Sequence, residues 1–115
     1  EKCHPRNFGT FPQFIKSYAC EKRMLGIEDA VRKITSEPAK RIGLSDRGVI
    51  AKGQKADILI FEPNELDNLP TFEDPKRFPS GIHRLWINGK LYPKYGSPQR
   101  GSGHVLRKES DRNLK

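Results

Sequence analysis

Apolar residues recur at helical spacing through roughly the first forty-five positions of the chain and fall into short extended runs after them. Phe11, Phe14, Ile15, Tyr18 and Ala19 follow the i, i+3, i+4, i+7, i+8 steps of a single helix face. Thr10 and Gln13 fit a T-x-x-Q capping box, in which each side chain satisfies an orphan amide, and Pro12 falls in the first turn, where a missing N–H costs nothing. The spacing predicts a helix over about residues 11–22. A second stripe, Ile27, Ala30, Val31 and Ile34, follows Gly26 and carries Glu28 and Asp29 in its first turn, where the helix dipole favours anions. A short third helix is expected with Ser36 as its N-cap, Pro38 in the opening turn and Gly43 closing it in the left-handed conformation.

The period then changes. "GVI" at 48–50 and "ADILIFE" at 56–62 read as strands, with Gly48 and Gly53 as turn residues. The unbroken run Ile58, Leu59, Ile60, Phe61 suits a strand covered on both faces. Residues 63–81, with Pro63, Pro70, Pro75 and Pro79, form a long non-repetitive connection. Beyond it, Asn88-Gly89 between two apolar arms predicts a type I′ hairpin. Helices first and strands last make the fold class α+β.

With 115 residues there is room for one small domain, and a 34% apolar fraction with mean hydropathy −0.78 makes its core lean. The 22 Lys and Arg against 14 Asp and Glu give a net charge of +8. These bases are interleaved with acids along the whole chain, as a solvated surface requires, and no recognition motif accompanies them, so no nucleic-acid partner is expected. No segment approaches the roughly 18 apolar residues of a membrane helix, and no signal peptide is present, so no membrane partner is expected either. Cys3 and Cys20 lack the spacing of a metal knuckle or a disulfide framework, which points to free thiols and a cytoplasmic location. Low complexity is confined to the end, where residues 108–115 are expected to be a mobile tail. The chain opens on Glu1 without a methionine, as processing or truncation would leave it.

Chemistry is sparse. His4, His83 and His104 stand far apart in sequence, without the close pairs that zinc sites use, so neither a metal ligand nor a catalytic residue is assigned. His83 alternates with apolar neighbours and should face outward. Glu73 and Asp74 are adjacent loop carboxylates that read as solvated charge. No nucleophile elbow, phosphate loop or dinucleotide fingerprint occurs. His4 and Arg6 differ, because they precede a helix in a loop stiffened by Pro5, and a guanidinium offers a planar fork for a substrate carboxylate. Pairing of Arg6 with a neighbouring acid and packing of His4 under the loop is the alternative.

The blocks "HPRNFGTFPQF", "EDAVRKITSEPAKRIGLSDRGVIAKGQKADILIFEP", "TFEDP", "GIHRLWINGK" and "GSGHVLR", in this order, resemble the C-terminal part of the N-acyl-D-amino-acid deacylases (D-aminoacylases) of the metal-dependent amidohydrolase superfamily. The G-x-I-x-x-G-x-x-A-D-I-L-I-F core belongs to the superfamily widely, while H-P-R-x-x-G-T-F-P and T-F-E-D-P narrow it to the deacylase branch. The resemblance implies a (β/α)8 barrel with a zinc site and a small β-sandwich. Residues 1–45 would be helices ending the barrel, 46–107 C-terminal strands of the sandwich, and 108–115 the tail. Loops at the C-terminal face of such a barrel line its active site, which would place His4, Arg6 and Asn7 near the substrate.

In that family an H-x-H pair, a bridging cysteine and two later histidines hold zinc, and an aspartate in an S-D-G motif acts as general acid and base. None of these has a counterpart here. The resemblance therefore implies a segment of a zinc hydrolase for N-acyl-D-amino acids that binds no zinc and is inactive alone, and whose partner is the missing N-terminal part or another copy of itself. A free-standing interaction or structural module that kept the amidohydrolase tail and lost its chemistry is the alternative.

Overall fold

Helix formation begins at Arg6, ahead of the expected capping box. The computed structural model describes residues 3–67, 69–92 and 103–106. Helix α1 spans Arg6–Phe14, and Thr10, well inside it, donates its hydroxyl to the Arg6 carbonyl at 2.7 Å instead of capping a start. Pro12 is thus an interior proline. It removes the N–H that would close on Phe8 and crowds that carbonyl, and the turns that follow are wide: Ile15–Glu21 is a π-helical segment, in which Lys22 N–H donates to Ser17 O at 3.0 Å. Arg23, with φ 48, ends this run.

Helix α2, Ile27–Ile34, matches its expected stripe, and Gly26 O accepts from Ala30 N–H at 3.0 Å. In α3, Ser36–Arg41, the N-cap position belongs to Thr35, one residue before the expected Ser36, and no side chain caps it. Its end is as expected. Gly43 is left-handed at φ 76, Leu44 N–H reaches Ala39 O at 2.9 Å and Gly43 N–H reaches Lys40 O at 3.1 Å, the paired bonds of a Schellman motif.

Three strands form one sheet in the order β1 (Ile58–Phe61), β2 (Ile82–Ile87), β3 (Lys90–Tyr92). Strands β2 and β3 are antiparallel, with Trp86 opposite Leu91, and Asn88 and Gly89 between them both have positive φ, as a type I′ turn demands. Glu62 N–H donates to Gly81 O at one end of β1, and Gly89 N–H donates to Ala56 O beyond the other, so β1 and β2 also run in opposite directions. Two strand expectations fail. Residues 48 and 49 lie in a bend and Ile50, 88% exposed, in irregular chain, and β1 is not covered on both faces, since Leu59 and Ile60 are about half exposed at 46% and 49%. As an edge strand of a three-stranded sheet, β1 has too few layers around it to bury an unbroken apolar run.

Residues group into two compact units, Glu1–Val31 with Ile60–His83, and Arg32–Leu59 with Arg84–Lys115. In the first, Ile15 and Leu66 are buried, Lys16 Nζ lies 3.0 Å from Asp67, and Gly81 packs on the backbone of Glu65 and Leu66. Leu66 is held there by Ser80, whose hydroxyl donates to Glu65 O and whose amide donates to Asp67 O, both at 2.9 Å.

In the second unit Arg47, its side chain only 12% exposed, reaches Asp57 at 2.6 Å and Asp46 and Asn88 at 3.3 Å each. Asp57 in turn accepts the Asn88 amide at 2.8 Å, so one guanidinium ties the approach to β1 to the hairpin turn. The tail 108–115 lies outside the described residues.

Candidate functional site

A groove of about 450 Å³ lies in the first unit, along one side of α1 and the π-helical segment, with Pro70 on its far wall. The opening loop supplies His4, Pro5 and Arg6. The helical segments supply Thr10, Gln13, Phe14, Ser17, Tyr18 and Lys22, which recur at three-, four- and five-residue steps and so share a face. Wide turning keeps that face continuous. Gln13 Nε2 donates to Ser17 Oγ at 2.7 Å, the Phe14 and Tyr18 rings lie 5.4 Å apart, and Lys22 Nζ stands 5.0 Å above the Tyr18 ring.

The charge in the groove has one sign. Arg6 and Lys22 are basic, and no Asp or Glu is among the lining residues. Such a surface favours an anion, and the aromatic pair adds an apolar wall.

His4 occupies a defined place in the loop. Its Nδ1 accepts the Arg6 backbone N–H at 3.1 Å, satisfying an amide at the helix start, and its ring meets Phe72 edge to face with centroids 5.1 Å apart. His4 is exposed and packed by that contact, not tucked beneath the loop. Asn7 does not join the groove; it is exposed, and its amide donates to His4 O at 3.1 Å. Of the three expected substrate-proximal residues, two line one groove and the third stabilises the turn beneath them.

His83 Nε2 lies 3.0 Å from Glu65 Oε2, His104 is exposed, and Asp74 pairs with Arg77 at 2.7 Å. Among the described residues, no three His, Cys, Asp or Glu side chains gather as a metal would need, and both cysteines are free thiols. No described helix is long and apolar enough to cross a membrane.

Gln13, Ser17, Tyr18 and Lys22 do not stand out as site residues in the sequence, where Phe14 and Tyr18 belong to an expected buried face. Their shared spacing with Thr10 is the available signal. Gly9 carries another. A Cβ there would come 2.5 Å from Pro70 Cδ, so the absent side chain lets the groove's walls approach. Gly9→Ala is expected to push Pro70 away and cost about 1–2 kcal/mol, read as a lower urea midpoint.

Residues 17–92 match the model of the amidohydrolase family, and the chain belongs to that family. It is 37% identical over 87 residues to an N-acyl-D-aspartate deacylase of Alcaligenes xylosoxydans xylosoxydans, and 39% identical over 89 residues to a D-aminoacylase of the same organism. These matches cover 76% and 77% of this chain and 18% of each relative. A crystal structure of an N-acyl-D-glutamate deacylase from Bordetella bronchiseptica, complexed with zinc and a phosphonate inhibitor, superposes with a TM-score of 0.78 at 31% identity, covering 84% of this chain and 20% of that one. The chain spans about a fifth of the length of the relatives it matches.

Proposed function

We propose that this chain is the C-terminal segment of a zinc-dependent hydrolase that removes the acyl group from N-acyl-D-amino acids. The observation that carries this reading is its likeness to a D-aminoacylase and to two deacylases whose names differ in the amino-acid side chain, yet share an N-acyl group on a D-amino acid. What such substrates have in common is an α-carboxylate. The cationic groove offers Arg6 as a planar fork for it, with His4 beside it and Asn7 holding the turn.

The described residues do not form a zinc site, and no catalytic step is assigned to them. In the whole enzyme, the metal and the residues that handle the amide bond would come from outside this chain. Residues 1–45 are assigned to the end of a barrel and 46–107 to sandwich strands, followed by the tail. On this reading the half-exposed Leu59 and Ile60 of β1 are covered by the remaining chain or by a second copy. The cysteines suit a reducing cytosol.

Sequencing the message upstream of the Glu1 codon tests the reading. The frame is expected to run through an S-D-G motif back to an H-x-H pair. The chain alone should then show neither stoichiometric zinc nor hydrolysis of N-acetyl-D-glutamate above a metal-free control. The extended chain should show both. A start codon immediately before Glu1, or turnover by the short chain, would overturn this reading, and the first result would favour a free-standing module.

A further inference from the structure

We propose that His4 is a fixed, neutral hydrogen-bond donor of the groove, presenting Nε2–H to a substrate oxygen, and that Phe72 is the positioning residue that holds its ring. The inference rests on the deacylase reading for the ligand, and on this chain's own geometry for everything else. A neutral imidazole has one N–H and one lone-pair nitrogen, and the bond made by one decides the other. Here the Arg6 backbone N–H donates to Nδ1 at 3.1 Å, so Nδ1 is the acceptor and Nε2 carries the proton. The tautomer follows from that hydrogen bond.

Ring orientation has a second determinant. The His4 and Phe72 rings meet at 78° with centroids 5.1 Å apart, a favourable edge-to-face contact. Phe72 itself is 70% exposed and does not line the groove. A large aromatic ring left mostly in water, touching a histidine that does line the groove, is explained by what it does to that histidine. The acceptor bond leaves rotation about the side chain's own axis only loosely constrained, and the Phe72 contact narrows it.

The donor also has a chemical target. Arg6 follows His4 by two residues, and the two share the groove with no acid among its lining residues. A carboxylate forked by the guanidinium would have a lone pair left for a neutral N–H, and a neutral donor adds direction without adding charge.

Selective 15N labelling of histidine and arginine in the 115-residue chain, with the imidazoles read by long-range proton–nitrogen correlation at neutral pH, tests each part, with exposed His104 as internal reference. His4 is expected as a single Nε2–H tautomer, with its ring protons displaced by the Phe72 ring current. Phe72→Leu should abolish that displacement and Phe72→Tyr should restore it, both with an unchanged thermal midpoint. Millimolar N-acetyl-D-glutamate should shift His4 Nε2 and the Arg6 side-chain resonances together, with the His4 response weakened in Phe72→Leu.

An Nδ1–H tautomer, or an average of the two tautomers, overturns the proposal. So does a His4 ring indifferent to Phe72→Leu. If Arg6 responds to the ligand and His4 does not, the donor role is wrong while the deacylase reading stands. If neither responds, both fall for this groove.

Discussion

Gly81→Ala is expected to cost on the order of 2–6 kcal/mol, comparable to the whole stability of a domain with so lean a core. Two effects add. Gly81 has φ +79, a conformation that strains a residue with a Cβ by about 1–3 kcal/mol. That Cβ would also stand 2.7 Å from the Glu65 carbonyl carbon, 2.8 Å from its oxygen and 2.9 Å from Leu66 N, all backbone atoms. They cannot retreat cheaply, because Leu66 is 3% exposed and Ser80 binds the carbonyls of the residues on both sides of it, Glu65 and Asp67. Overpacking against such a site adds about 1–3 kcal/mol. Gly53→Ala separates the two contributions, since Gly53 has φ +86 and a methyl group there would meet nothing within 4 Å; it should lower the thermal midpoint by far less. Equal losses in the two variants would show that the close approach at Gly81 contributes nothing.

Arg47→Ala is expected to destabilise by about 2–4 kcal/mol, less than a fully buried ion pair would lose because Asp57 remains 37% exposed. Removing the guanidinium takes a cationic partner from both Asp46 and Asp57 and ends its bond to the Asn88 side chain. Arg47→Lys should recover only part of the loss, since an ammonium restores charge but not a fork that reaches three side chains. Hydrogen exchange locates the effect: the Asn88 and Gly89 amides, bonded to Asp57 and Ala56, should lose protection first. Unchanged protection there would remove Arg47 from the support of the turn.

What was legible in the sequence follows from how local its cause is. Asn88-Gly89 and Gly43 announce themselves because type I′ turns and Schellman ends need positive φ, which few residue types accept. The stripe of α2 is a matter of period alone. The π-helical segment was not legible, since capping rules favour a start at Thr10, and only the backbone entering from His4 decides that the helix begins earlier and traps Pro12 inside. Covering of β1 depends on layers that local pattern does not count. The groove was half legible: His4 and Arg6 stood out by chemistry, whereas Phe14 and Tyr18, apolar at helical spacing, read as core and proved to be a wall. Little local to Arg47 or Phe72 marks its role, because Asp57 and Asn88 on the one hand and His4 on the other lie far away in sequence.

The two units interleave along the chain, which passes between them at Val31 to Arg32, Leu59 to Ile60 and His83 to Arg84. During synthesis the helical side of the groove leaves the ribosome first, and then waits while a stretch belonging to the other unit is made before Pro70 arrives. Neither unit can be released by a single cut, and a protease nicking one crossing would leave the severed segment held only by packing within its own unit. The groove is therefore complete only after the first return passage, at Leu59 to Ile60, has emerged.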